Sequence, residues 1–338
     1  MTEARTAEPV IAGIYGILLT PFRAGTLEID RDSLAVEAQF CLDAGVDGVV
    51  VNGVASEFYT LSDAERRETL EVVAEAVDGS VPLVVGVSAT HWREASSLAS
   101  HARDLGAVAV MSMGPYTHQR FLPSLAELVT FYEAIAREGG LPVVLQNPGG
   151  APGFPVSIDQ IVEIVHRVPA IRWVKEEGFP APQRVRQLTT RLASSGVGLI
   201  GGAGGLHILS EWRRGAKAWM PACHYVDVLV EVHRLLLQGN EPEASRKHQA
   251  LLPALLLEQL LLPAYAKRVL LLRGLLSSEA VRAPMCRLDE DDEAEIEFVH
   301  RRLAEHLVVP LREQRQNDQA YGALPKVLTS ELGASGET

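Results

Sequence analysis

The sequence predicts a closed (β/α)8 barrel, a TIM barrel, carrying a C-terminal helical extension. Three observations lead there. Eight short apolar runs recur between residues 13 and 221. Amphipathic stretches with helical period separate them. The turn after the first run reads Leu19-Thr20-Pro21-Phe22, without the G-x-G-x-x-G expected of an open doubly wound sheet. Near-continuous apolar strands alternating with helices mean a parallel sheet covered on both faces. Eight such units suit a closed barrel, for which about 250 residues is typical.

The first strand is read at Gly13–Leu19, and the helical pattern from Asp32 to Ala44 leads to the second at Asp47–Asn52. Ser62 opens Asp63-Ala64-Glu65-Arg66, a Ser-x-x-Glu capping-box spacing, for a helix running to about Val77. Strands at Pro82–Val87, Ala107–Met111 and Pro142–Gln146 alternate with helices at Trp92–Leu105 and Leu125–Glu138. The last third of the barrel alternates a helix at Ser157–Arg167, a strand at Ile171–Lys175, a helix at Pro182–Ser194, a strand at Val197–Gly201, a helix at Leu206–Arg214 and a strand at Lys217–Pro221. Residues 226–309 then read as several helices beside the barrel. The acidic patch Asp289–Glu295 suits a solvated helix start, where negative charge meets the positive end of the dipole. The expected division is an N-terminal segment 1–12, the barrel 13–225, a helical region 226–310 and a polar, mobile tail 311–338.

Bulk properties exclude several classes. A hydrophobic content of 47% with 22% charged residues is that of a soluble globular protein. The net charge of −12 argues against a nucleic-acid surface, which needs a basic face. Cys41, Cys223 and Cys286 are few, odd in number and widely spaced, suggesting neither a disulfide framework nor a zinc site and fitting a reducing cytoplasm. No signal peptide is expected from the opening MTEARTAEPV. The leucine-rich stretch 251–276 is interrupted by Glu258, Lys267, Arg268 and Arg273 and by two prolines, so it reads as buried helices rather than a membrane span.

Lys175 stands out chemically. Lys and Arg total 31, of which only five are lysines, and Lys175 is the only lysine in the first 216 residues. It closes the apolar run Ile171-Arg172-Trp173-Val174-Lys175. Arginine serves as a surface cation, but its guanidinium does not form a Schiff base. An amine partly withdrawn from water becomes a carbonyl nucleophile. The bland alternative is a strand-end lysine reaching out to solvent. A (β/α)8 barrel keeps its site at the C-terminal strand ends. That rim comprises Thr20-Pro21-Phe22, Asn52–Glu57, Ser88–His91, Ser112–His118, Gln146-Asn147, Lys175-Glu176-Glu177, Gly202–Gly205 and Ala222-Cys223-His224. The lysine falls on it.

These residues carry a resemblance. Gly16-Ile17-Leu18-Leu19-Thr20-Pro21-Phe22, the loop Asn52-Gly53-Val54-Ala55-Ser56-Glu57-Phe58-Tyr59-Thr60-Leu61, Val174-Lys175-Glu176 and Arg282-Ala283-Pro284 keep a common order and spacing. The chain resembles the dihydrodipicolinate synthase / N-acetylneuraminate lyase family of class I aldolases and dehydratases. The resemblance implies that Lys175 forms an imine with a 2-oxo acid such as pyruvate, alongside an aldehyde or related carbonyl partner. It implies no metal or organic cofactor and a homotetramer or homodimer, while the charge, the interrupted leucine run and the cysteines lead to the expectation of no nucleic-acid or membrane partner and a cytoplasmic location. Substrate would be bound by Thr20, Gly53, Val54, Ala55, Glu57, Tyr116, Gly202 and Trp219.

The departures matter as much. Gln146 stands where the family carries its catalytic tyrosine, and an amide does not act as a phenol acid/base. Val54 and Ala55 replace two threonines, Thr117 replaces a tyrosine beside Tyr116, and Ala151 replaces a substrate-binding arginine. Without that relay the chain is not expected to be a standard dihydrodipicolinate synthase. Proton transfer then needs another source: a water held by Gln146, or His118, His91 or His224 on the rim. Glu57 is expected to bond backbone amides of its loop, and Glu176 and Glu177 to form ion pairs outside the pocket. A thiol mechanism from Cys223 beside His224 is disfavoured, because adjacent strand side chains point to opposite sides. Two alternatives stay open: a phosphate cradled by the Gly201–Gly205 turn, and a non-catalytic scaffold.

Overall fold

The computed structural model describes residues 10–115, 122–149, 156–285 and 287–309. Tyr116, Thr117, His118, Ala151, Cys286 and the tail from 311 fall outside them. Eight parallel strands close into one barrel in chain order. They are β1 (Gly13–Ile17), β2 (Gly48–Val51), β3 (Leu83–Gly86), β4 (Ala109–Ser112), β5 (Val143–Asn147), β6 (Ile171–Glu176), β7 (Gly198–Gly201) and β8 (Ala218–Trp219), with β8 pairing β1 through Gly13–Ala218 and Ile14–Trp219. The strands are rich in valine and isoleucine and almost wholly buried, as a sheet covered by helices outside and packed side chains inside requires.

The helices α1 (Arg31–Asp43), α2 (Asp63–Val77), α3 (Trp92–Asp104), α4 (Leu125–Gly139), α5 (Ile158–Arg167), α6 (Ala181–Arg191) and α7 (Ile208–Trp212) alternate with them. Their starts follow local chemistry. Ser62, Ser124 and Ser157 each accept from the third helical amide, while Glu65, Glu127 and Gln160 bond back to the cap, which satisfies two otherwise orphaned N–H groups at each end. α8 (Val226–Leu237) packs on β1 as the eighth barrel helix, so the β/α ring runs to 237 rather than stopping at 225.

Three further helices cap this assembly: α9 (Glu241–Leu261), α10 (Ala264–Leu272) and α11 (Glu290–Leu303). Asp289 caps α11 with a reciprocal bond from Asp292, and acidic residues fill its first turn. No helix among the described residues is long and apolar enough to cross a membrane. Within α9, Pro253 is exposed, while Ala254, Leu255, Leu257 and Glu258 face inward.

Arg282 staples this extension to the barrel. Its guanidinium donates to Leu27 O at 2.7 Å and to Thr60 O at 3.1 Å, pairs with Glu65, and lies 4.3 Å from the centre of the Phe22 ring. The hydrogen bond from Arg282 is the main reason the Glu65 carboxyl is pulled down to about 2. Arg282→Ala is expected to cost about 2 kcal/mol, the worth of its charge-assisted bonds after solvent compensation. Urea denaturation checks this; a change within 0.5 kcal/mol, about the scale of an ordinary surface substitution, would show that the staple carries no load.

Candidate active site

Strand period places Lys175 and Glu177 on the same side of β6 and Glu176 on the other. The inward side gathers a cluster of polar groups. Lys175 is only 3% exposed, and its Nζ lies 3.3 Å from Glu177 Oε1. Gln146 is the register partner of Lys175 on β5, and its Nε2 donates to Glu177 Oε2 at 2.8 Å. The backbone N–H of Ala203, in the turn after β7, donates to Glu177 Oε1 at 3.1 Å. Glu177 thus receives the amine, the amide and a backbone donor together. The expectation that both glutamates pair outside the pocket holds only for Glu176. That residue is fully buried, accepts from Asn147 Nδ2, Gly178 N and Arg184 Nε, and locks the strand-end turn.

The turn at 202–205 explains its glycines. A Cβ on Gly202 would lie 2.2 Å from Glu177 Oε1, and one on Gly204 would lie 2.4 Å from Glu258 Oε2. Gly204 also has a φ of +64°, where a side chain is strained. Glu258 comes from α9 and is 3% exposed. Burial pushes its carboxyl up to about 8; Lys175 opposes that and Glu177 adds to it. Sequence reasoning noticed Glu258 only as a charge interrupting a leucine run. A single carboxylate in such a run was the signal that could have found it.

The other predicted residues separate. Thr20 Oγ1 donates to Ser56 O at 2.6 Å, and Ser56 Oγ accepts from Gly53 N, so these residues knit the β1 and β2 loops together. Ala55 is buried and Val54 half-buried in that loop. Glu57 does not bond loop amides as expected. It makes a fully buried ion pair with Lys267 of α10, whose amine also donates to Ala280 O and lies 4.2 Å from the centre of the Phe22 ring. Burial pushes Glu57 up and Lys267 down, and each opposes the shift of the other. His91 is an exposed helix cap, its Nδ1 accepting from Arg93 N at 3.1 Å. His224 is buried, and burial depresses it to about 3, so it is neutral at physiological pH. Trp219 is fully buried, with Nε1 donating to Glu211 Oε2 at 2.8 Å. Cys223 is buried beside Glu37, 3.5 Å from its Oε2, and burial raises the thiol, which removes the nucleophile a thiol mechanism needs.

A surface cleft of about 470 Å3, lined by Ala24, Leu27, Ala280 and Leu288 among others, shares no residue with this cluster. Carbonyl chemistry needs the amine, so the amine rather than cleft size locates the candidate site.

The family model described as "Dihydrodipicolinate synthetase family" matches residues 10–302. The chain belongs to the dihydrodipicolinate synthetase family. Among relatives of this family, an L-2-keto-3-deoxyarabonate dehydratase from Azospirillum brasilense is 28% identical over 305 residues, covering 90% of this chain and 97% of the relative. A 4-hydroxy-tetrahydrodipicolinate synthase from Methanopyrus kandleri is 29% identical, over 69% of this chain and 83% of the relative. Among solved structures, the 4-hydroxy-tetrahydrodipicolinate synthase of Methylacidiphilum fumariolicum SolV superposes with a TM-score of 0.81 at 26% identity, covering 88% of this chain and 97% of that one. A putative dihydrodipicolinate synthetase from Pseudomonas aeruginosa gives 0.81 at 29% identity, covering 87% and 100%. Family members are thus lyases and dehydratases of small molecules, and this chain is an enzyme of that class by family.

The buried carboxyls have a consequence for stability. Glu211 is raised to about 7 and Glu258 to about 8, burial being the main cause for both. A carboxyl whose folded value lies above its usual 4.5 contributes stability that is fully present below that value and lost as pH rises through the folded one. The melting temperature is therefore expected to fall between roughly pH 5 and pH 8 and to level off above, with Glu211→Gln removing part of the fall. A flat wild-type profile across that window would show that these groups do not hold their protons.

Proposed function

We infer that the protein is a Schiff-base lyase acting on a 2-oxo acid, and that its reaction is a dehydration of a hydroxylated 2-oxo acid. The observation carrying this is the Lys175–Glu177–Gln146 cluster: a buried amine in contact with a carboxylate that an amide orients. In such a site Glu177 takes the extra proton of the Lys175 ammonium. The free amine adds to the ketone, and loss of water leaves a protonated imine. That imine is an electron sink, so a proton on the neighbouring carbon becomes acidic. Glu177 lies at the amine and is the base within reach of that carbon. A hydroxyl one carbon further out then leaves as water, and hydrolysis of the imine frees the product. Aldol cleavage of the same imine needs a base on a hydroxyl and remains the second outcome of the same chemistry.

Two features favour dehydration. A carboxylate at the amine suits removal of a carbon-bound proton, and no phenol occupies position 146. The Azospirillum brasilense relative, which covers nearly the whole chain, is named a dehydratase of a 3-deoxy-2-oxo sugar acid. The phosphate alternative meets an electrostatic objection. The 202–205 turn abuts the carboxyl groups of Glu177 and Glu258, and its Ala203 N–H is already used. An anion placed there would face Glu177 at close range.

The test incubates the full chain with pyruvate and sodium borohydride, then with 3-deoxy-2-oxo pentonates and hexonates without borohydride. A mass increase mapped to Lys175, together with loss of water from one of the sugar acids, is the expected result. A trapped adduct with aldehyde release instead of water loss would move the assignment to aldol cleavage. Failure to trap any 2-oxo acid would remove the imine mechanism.

A further inference from the structure

Glu258 is not explained by packing. It lies in the run Leu255-Leu256-Leu257-Glu258-Gln259-Leu260-Leu261 of α9, where an apolar residue would fill the same space without a desolvation cost. Its Oε2 is buried and has no hydrogen-bond partner. The nearest basic atom, His224 Nε2, is 3.6 Å away, on a ring that burial keeps neutral. Both ring nitrogens of His224 are likewise buried without hydrogen bonds. A structural carboxylate would be tied down as Glu176 is, by several donors. Glu258 is instead left with an unfilled valence.

Its position is specific. The turn after β7 holds the two carboxyl groups on neighbouring residues: Glu177 against Gly202 and Ala203, and Glu258 against Gly204. Lys175 acts on Glu258 through its charge, as does Glu177. Glu258 is as sheltered as the lysine, each at 3% exposure. A side chain at 204 would occupy the space that Glu258 fills, so the glycine there admits a carboxylate delivered from a helix more than fifty residues downstream in the chain.

We propose that Glu258 is the general acid of this site, donating the proton with which the carbinolamine hydroxyl leaves the former ketone carbon as water. The assignment rests on the imine mechanism above. Glu177 first accepts a proton from the Lys175 ammonium. The amine forms the C–N bond to the ketone carbon, and its second proton passes to the carbonyl oxygen, giving the neutral carbinolamine. The C–O bond then breaks as Glu258 protonates that oxygen. The nitrogen lone pair forms C=N, leaving a protonated imine, one water, a protonated Glu177 and an ionised Glu258; the released water relays the Glu177 proton back to Glu258, which restores Glu177 as the base for the carbon-bound proton. Charge is conserved: the ammonium and one carboxylate become an iminium and one carboxylate.

The division of labour follows from the surroundings. Burial is what keeps the Glu258 proton at neutral pH, with its carboxyl at about 8 against the opposing charge of Lys175. From β6 and the turn that follows it, the groups acting on it are Lys175 and Glu177; the turn after β8 presents His224; α10 presents Tyr265, whose hydroxyl Glu258 helps to raise. The 203–205 turn brings no titratable side chain. α8 and α11 pack on the same helix, but Asp227 of α8 is bound to Arg273 and His300 of α11 to Tyr225. In this protein the acid comes from the C-terminal extension rather than from a strand end.

The test uses pyruvate alone, so it does not depend on knowing the natural substrate. The rate of imine formation on the full-length protein is read by rapid quenching into borohydride and mass spectrometry. Glu258→Gln, nearly isosteric, is expected to slow adduct formation roughly 100-fold or more. It still reaches a full adduct on Lys175 at long times, since the nucleophile is untouched. The wild-type rate is expected to fall as pH rises through about 8, and that fall to be absent in Glu258→Gln. A Glu258→Gln rate within threefold of wild type overturns the assignment while leaving the imine mechanism standing. If the variant does not fold, the wild-type profile decides, and a rate that does not fall above pH 8 overturns it. Absence of any wild-type adduct overturns the imine mechanism itself, and this assignment with it.

Discussion

Lys175→Arg is expected to lose all borohydride-trapped pyruvate and at least ~1,000-fold of turnover, as removal of a covalent nucleophile does. The substitution keeps a cation beside Glu177, so it separates nucleophilicity from charge. Lysine and arginine both neutralise that carboxylate, but only the amine has a lone pair to offer a carbonyl carbon. The melting temperature guards against a trivial outcome, because the larger guanidinium must fit a site only 3% exposed. A folded Lys175→Arg protein that still traps pyruvate would place the imine elsewhere. The other lysine buried among the described residues with contacts to the β2 loop is Lys267, which its ion pair with Glu57 already engages.

Lys267→Met is expected to destabilise the protein by roughly 3–5 kcal/mol, because it leaves Glu57 buried without its partner. Calorimetry would read this as a fall in melting temperature of roughly 4–7 °C. The double variant Glu57→Gln/Lys267→Met is expected to recover part of the loss, since breaking a buried pair costs more than replacing it. Equal losses in the single and double variants would show that the cost is packing around Phe22 rather than an unpaired charge. The pair joins the β2 loop to α10, so it fixes the helical extension above the barrel and indirectly seats Glu258.

Much of the scaffold was legible in the chain. The apolar runs gave strand positions within a few residues of those observed, because a parallel strand buried on both faces leaves a continuous signature. Ser62 with Glu65 announced its helix start, since a capping box is satisfied within four residues. Lys175 was legible for the same reason: its place at the end of β6 is a property of one short segment.

What surrounds the lysine was less legible. Glu177 turns inward because strand alternation continues past Lys175, a rule available in the sequence but outweighed by the expectation that charges seek solvent. Glu57 appeared to need only its own loop, whereas its partner lies more than two hundred residues away. Glu258 was visible as an interruption in a leucine run and nothing more.

The sequence by itself therefore determined the β/α alternation, the helix starts and the strand that carries Lys175, since each is decided by neighbours within a turn or two. Only the tertiary structure decided which carboxyl groups face that amine. Periodicity specifies the face on which a side chain lies, but not the distant segment that packs against it. Burial, set by that packing, then decides whether a carboxyl keeps its proton: Glu258 does so because α9 folds over the turn at Gly204 and withdraws it from water.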